Sequence, residues 1–235
     1  MRFGKIEYLN LLPFDVFVKK YPTSSGFKKF LQLKKSYPSK LNGDFLRKRI
    51  DAGFISSIAA YFPTRLHHIT KAGIIARGAV WSVIAIPQES GEDYQSASSN
   101  ALAKVLHIKG RILIGDRALR YKLNDGVYQD LGQEWWKKYH LGFTFGRLCY
   151  NAHRDFYEKL ASNFIRKRIK IPRYILIQNA LRTEISPHDI KAYLTHIHYN
   201  ITKKEEIALQ RFYTALRLNH IKKPSRFKFQ KNTLR

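Results

Sequence analysis

The sequence predicts an α/β protein of two lobes with a cleft between them, and three features carry that prediction. Strand and helix signals alternate from residue 2 to residue 62. The most apolar run, Ala79-Val80-Trp81-Ser82-Val83-Ile84-Ala85-Ile86, is too continuous for a half-buried strand and reads as a central one. From Asn151 onward the pattern turns helical, which supplies elements to pack back on the first lobe.

The first unit is a strand over residues 2–8 followed by a helix to about residue 20. Pro13 falls in the first turn of that helix, where a missing N–H costs nothing, and Phe14, Phe17 and Val18 give it an apolar face. Turn residues at 22–26 separate it from a strand at 27–33, a helix at 38–48 and a short strand at 52–55. Ser56-Ser57 reads as the cap of a helix over 58–62, since a hydroxyl satisfies one of the free N–H groups there.

The apolar run at 79–86 carries the chain into a second lobe, which continues with a helix at 99–107, a strand at 111–114 and a strand at 142–148. Among the later helices, Ser186-Pro187 opens one, and Thr202-Lys203-Lys204-Glu205 has the spacing of a capping box ahead of Ile207, Ala208, Phe212, Ala215 and Leu216. Neither a repeat nor a low-complexity linker divides the chain. The lobes are therefore expected to interleave, with residues 1–80 and 181–235 forming the first and 81–180 the second.

At 235 residues and 44% hydrophobic, the chain can bury a sizeable core. Its 43 Lys and Arg against 17 Asp and Glu give a formal charge of +26, which attracts anions of every kind. The cationic residues are spread along the whole sequence. The dense runs are Arg166-Lys167-Arg168 with Lys170, and residues 222–235. With no zinc spacing, basic zipper or RNA-binding motif, this spread argues against nucleic acid as a partner. The N-terminus passes straight into a strand pattern without a secretory signal, and no run reaches membrane-spanning length, so a cytoplasmic protein without a membrane partner is expected. A single cysteine, Cys149, excludes an internal disulfide and any multi-thiolate metal site, and reads as core filler. His67 and His68 are adjacent and point apart, and His196 and His198 lack a nearby carboxylate or thiol partner, so no metal is expected.

The chemistry concentrates where strands meet helices. Asn10 ends the first strand just before a helix, which puts its carboxamide beside free helix N–H groups, an anion-friendly corner; simple capping is the competing reading. Ser96-Ala97-Ser98-Ser99 is a second hydroxyl-rich helix entrance, where side chains and backbone N–H groups could jointly grip a carboxylate. Gly115-Asp116 follows the strand at 111–114, and Asp116 there serves either as a helix cap or as a catalytic acid. Trp81, Trp135 and Trp136 border strands and helices and read as core anchors before stacking platforms.

Taken in order, Tyr8-Leu9-Asn10 with Pro13, Gly43-Asp44 with Asp51-Ala52-Gly53, Gly78-Ala79-Val80-Trp81-Ser82-Val83, the stretch from Ser96 to Leu102, Ile114-Gly115-Asp116-Arg117-Ala118-Leu119 and Asp130-Leu131-Gly132-Gln133-Glu134-Trp135 resemble one family over nearly the whole chain. These are the landmarks of the chorismate dehydratases of the futalosine-dependent menaquinone pathway, which have the fold of type II periplasmic solute-binding proteins. The chain departs from the family pattern at Ser98, where Thr is usual, and at Leu141-Gly142-Phe143-Thr144-Phe145, where a Pro-Phe pair follows a Gly-Leu.

The resemblance implies that chorismate loses water to give 3-[(1-carboxyvinyl)oxy]benzoate, with no metal and no organic cofactor. It implies Asn10 and Ser82 near the enolpyruvyl group as catalytic residues, and Ser98 and Ser99 at a helix N-terminus as further substrate-binding residues. None of the matched landmarks offers a His or Lys base, so the substrate's own enolpyruvyl carboxylate is the expected proton acceptor. The rival reading from another class is a non-catalytic binding protein for a small carboxylate, because the same architecture binds anions without transforming them. The related dihydroxynaphthoate synthase shares the architecture but differs at the opening landmark. The oligomeric state is left open.

Overall fold

The computed structural model describes residues 1–21, 34–61, 68–87 and 90–222. The strands are β1 (Phe3–Lys5), β2 (Lys34–Lys35), β3 (Ala52–Ser56), β4 (His68–Ala76), β5 (Val83–Ile86), β6 (Arg111–Ile114), β7 (Gln129–Asp130), β8 (Phe143–Tyr150) and β9 (Ile197–Asn200). The helices are α1 (Leu12–Lys20), entered through a short 3-10 turn at Leu9–Leu11, α2 (Pro38–Leu46), α3 (Ala97–Leu106), α4 (Gly115–Leu123), α5 (Leu131–Tyr139), α6 (Arg154–Arg166), α7 (Arg173–Thr183), α8 (Pro187–Leu194) and α9 (Lys203–Leu218).

Two sheets result, one of six strands in the order β2-β1-β3-β8-β4-β9 and one of three in the order β6-β5-β7. In the large sheet β1 runs parallel to β2 and β3, the signature of helical crossovers, while β8 is antiparallel to both its neighbours. The predicted two-lobed α/β class holds. The apolar run at 79–86 narrows to Val83–Ile86, which is fully buried and central in the small sheet, as its composition requires.

Local signals predicted local structure well. Pro13 sits in the first turn of α1, Ser186 accepts the Asp189 amide at the start of α8, and Thr202 and Glu205 form the reciprocal capping box of α9. Phe14 packs against Phe3, Phe54 and Phe164 with ring centroids 5.8, 5.0 and 5.1 Å away, which locks α1 to the large sheet and to α6.

Three expectations change. Of the helix expected at 58–62, the described residues 58–61 form none: the Ala59 and Ala60 amides both return to the Ser56 carbonyl in a tight turn, and the Ser57 hydroxyl donates to the Thr144 carbonyl instead of capping. The nine-residue β4 was not foreseen, because Lys71 and Gly73 interrupt its alternation and its ladder slips between Ile69 and Gly73 and again between Ile74 and Ile75. Finally, the strand expected at 142–148 in the second lobe lies in the large sheet, wedged between β3 and β4, and α6 behind it packs on β4. The chain thus leaves the large sheet at Ala76 and re-enters it at Phe143, and these two residues are partners on one rung. The strand joins the large sheet because pairing partners, and not sequence order, decide which sheet a strand joins. The strand expected at 27–33 and His67 lie outside the described residues.

Candidate active site

Between the two sheets lies a cavity lined by apolar side chains, among them Ile6, Phe54, Ile74, Val80, Ile114 and Phe145. Its polar wall consists of Tyr8, Asn10, Ser56, Ser82, Ser96 and Ser99. Among the described residues that line it there is no Lys, Arg, His, Asp or Glu.

Each wall residue is placed by its own element. Asn10 stands in the 3-10 turn that leads into α1; its backbone carbonyl accepts the Tyr199 hydroxyl at 2.6 Å, and its Oδ1 is buried without a hydrogen bond among the described residues. Ser82 ends the loop before β5, and its carbonyl accepts the Gly115 amide at 2.8 Å. Ser96 caps α3 by accepting the Ser99 amide at 3.1 Å. Ser56 ends β3, where its amide donates to Asn42 Oδ1 at 3.0 Å.

Three of these hydroxyls share one arrangement. Ser56 accepts from Asn42 Nδ2 at 2.8 Å, Ser82 accepts from the Tyr193 hydroxyl at 2.8 Å, and Ser99 accepts from the Ser96 hydroxyl at 2.7 Å. Each serine is therefore held from behind by a donor, and its own proton is left to give to whatever occupies the cavity. The first turns of α3 and α4 and the 3-10 turn at Asn10 converge on the same space, adding the positive ends of their peptide dipoles. Such a wall suits an anion with an apolar body, and among the described residues its one titratable side chain is the Tyr8 phenol, which donates to Gln95 and which burial pushes above its ordinary range.

The predicted site residues divide. Asn10, Ser82 and Ser99 share the cavity, whereas Ser98 does not line it: its hydroxyl is buried and accepts the Ile58 amide at 3.0 Å, fixing the turn after β3. Successive helical residues point about 100° apart, which lets Ser99 face the cavity while Ser98 turns toward Ile58. Asp116 neither caps α4 nor lines the cavity. Its Oδ1 accepts the Leu9 amide and its Oδ2 the Arg182 guanidinium, and burial, opposed by these two donors, pushes its carboxyl above the usual range. Trp81 adopts a left-handed φ of 63° and stacks on His196 under the Lys122 ammonium, away from the cavity. Trp135 is core. Cys149 is fully buried, which pushes its thiol up to about 12, and it packs in the core.

Sequence reasoning missed the supporting residues. Asp130 accepts the amides of Val80, Trp81 and Gln133, which fixes the loop that carries Ser82. Tyr8 donates its hydroxyl to Gln95, and the Gln95 carbonyl accepts the Ser39 amide at 3.0 Å, so the large-sheet side grips the segment leading into the Ser96 cap. Arg117 holds Asp93 and Gln95 in the same network at 2.6 and 3.3 Å. Among the described residues no group of His, Cys, Asp and Glu could hold a metal ion, and no helix is long and apolar enough to cross a membrane.

Comparison with known proteins agrees with this geometry. A family model described as menaquinone biosynthesis matches residues 89–217. A chorismate dehydratase from Campylobacter jejuni subsp. jejuni is 41% identical over 218 residues, covering 92% of this chain and 97% of that protein. Among solved structures, protein AF1704 from Archaeoglobus fulgidus superposes with a TM-score of 0.68 at 14% identity, covering 94% of this chain and 98% of that one. The alkanesulfonate-binding protein SsuA from Xanthomonas axonopodis pv. citri gives 0.59 at 11% identity over 96% and 94%. At these identities the structural likeness establishes the fold alone, that of periplasmic binding proteins. By sequence, the chain belongs to the menaquinone-biosynthesis family of the chorismate dehydratases.

Proposed function

We propose that this chain dehydrates chorismate to 3-[(1-carboxyvinyl)oxy]benzoate, as a carbon–oxygen hydro-lyase of the futalosine-dependent menaquinone route working in the cytoplasm. The observation that carries the reading, given the family, is the polar wall: hydroxyls braced from behind, an Asn10 Oδ1 buried without a hydrogen bond, and no Lys, Arg, His, Asp or Glu among the described lining residues. Chorismate carries two carboxylates on a small apolar ring, and such a wall can bind both without a counter-charge.

The step is a 1,2-elimination. A proton leaves ring carbon 3, its C–H electron pair enters the ring system, hydroxide leaves carbon 4, and the ring becomes aromatic. The proton and hydroxide together make the water released. Asn10 and Ser82 hold the enolpyruvyl carboxylate against the carbon 3 proton, so the substrate supplies its own base. Ser99 and the first turn of α3 take the ring carboxylate, where charge accumulates as the proton departs. The protein contributes orientation, exclusion of water and donors aimed at developing charge. Aromatisation supplies the driving force, so the enzyme needs no strongly perturbed base.

The test is to incubate purified protein with chorismate and follow, by mass, a product lighter by one water. Asn10→Ala should lower turnover about 100-fold or more, the scale for one lost orienting donor. Binding of chorismate without product would instead favour a non-catalytic carboxylate-binding protein.

A further inference from the structure

Ser82 owes its orientation to a residue that enters the site from the opposite end of the sequence. Tyr193, in the last turn of α8, is only 1% exposed, and its hydroxyl donates to Ser82 Oγ at 2.8 Å. Ser82 is itself 2% exposed and lines the cavity. A serine hydroxyl has one proton and can turn it about the Cβ–Oγ bond. With Tyr193 donating to one side of Oγ, the Ser82 proton is turned away from Tyr193 and toward the cavity. In the absence of the phenol, the hydroxyl could rotate and spend its proton elsewhere.

We propose that Tyr193 is a positioning residue for the dehydration, fixing Ser82 as a hydrogen-bond donor to the substrate carboxylate; the proposal rests on the chorismate reading above. Tyr193 never touches the substrate and does not transfer a proton. Tyr199, a few residues further on, braces the site in a different way, since its hydroxyl bonds the Asn10 backbone carbonyl and leaves the Asn10 side chain free. One segment, α8 with β9, therefore brings a phenol to each of the two residues assigned to the enolpyruvyl group, Tyr193 buried and Tyr199 partly buried.

The experiment is a double-mutant cycle on chorismate turnover with Tyr193→Phe, Ser82→Ala and the pair, each checked for an unchanged melting temperature. Wild-type turnover comes first: its absence removes the chorismate reading and this proposal with it. Given turnover, Tyr193→Phe should lower kcat about tenfold, less than outright loss of a donor, with KM changed by less than about twofold. In the Ser82→Ala background the same change should then have no further effect, because there is no hydroxyl left to orient. Equal losses in both backgrounds, or an unaltered kcat in Tyr193→Phe, would overturn the proposal while leaving the dehydratase reading intact. If Tyr193→Phe melts early, the cycle is repeated at a temperature at which all four proteins stay folded, and a further loss in the Ser82→Ala background there would count against the proposal.

Discussion

Leu9 donates its amide to Asp116 Oδ1 at 3.0 Å, so the residue just before Asn10 is held by the first turn of a helix that belongs to the other sheet. Arg182, from α7, completes the contact by donating to Asp116 Oδ2 at 3.2 Å. This half-buried carboxylate is thus a tie between elements and is not itself among the residues that line the cavity. Asp116→Asn keeps an oxygen for Leu9 and should retain turnover within about threefold, whereas Asp116→Ala strands a buried amide and should cost about 1–3 kcal/mol of stability along with a lower kcat. Denaturant melts and steady-state rates on both variants check this. Abolished turnover in Asp116→Asn with binding intact would make Asp116 the base.

Gly115, the residue before it, has a φ of +64°, and a Cβ there would stand 2.8 Å from the Tyr8 ring. Gly115→Ala should therefore be destabilising by about 1–3 kcal/mol from backbone conformation alone. It should also displace Tyr8 from Gln95 and raise KM. Thermal melting and KM measured together would show both effects; a variant that melts with the wild type would mean that the ring yields freely.

Neighbouring serines should behave oppositely. Ser98→Ala leaves the buried Ile58 amide without its acceptor and should cost about 1–3 kcal/mol while affinity for chorismate is kept in the folded fraction. Ser99→Ala leaves the Ser96 cap of α3 in place and should weaken chorismate binding with little change in melting temperature. Calorimetric titration beside a melting curve separates the two, and equal affinity losses would place both on the cavity.

Glu205 offers a pH test of the fold. Burial raises its carboxyl, but the Thr202 hydroxyl and amide and the Arg77 guanidinium outweigh that and hold it below its ordinary 4.5. A carboxyl lowered in the folded state contributes stability above its unfolded pKa and loses it as pH falls through the folded one. The stability difference between wild type and Glu205→Gln should therefore be full near neutrality and shrink as pH drops from about 5 toward 3. Melting temperatures of both proteins across that range read it directly; a constant difference would refute the linkage.

Legibility in the sequence followed the range of the interactions. The strand at Arg111–Ile114 and the caps at Ser96, Ser186 and Thr202 were readable because their partners lie within a few residues. The sheet that β8 joins was not, since its neighbours are distant in sequence and its own residues are equally suited to either sheet. In the site, Asn10 and Ser99 could be picked out as residues at strand and helix ends, and Ser82 through the family resemblance alone. Ser98 was grouped with Ser99 because the sequence shows adjacency and hides the angle between side chains. Asn42, Tyr193 and Tyr199 carry no motif at all. Their roles arise from contacts made across the fold, as in the Tyr193 bond to Ser82.

Ala76 and Phe143 share a rung, and every element of the small sheet lies between them in the chain. In topological terms that lobe is a guest inserted into a β-hairpin, with its entry and exit held side by side by the host. The entropic cost of bringing its two ends together is then carried by β4 and β8, which lets the guest order as a unit.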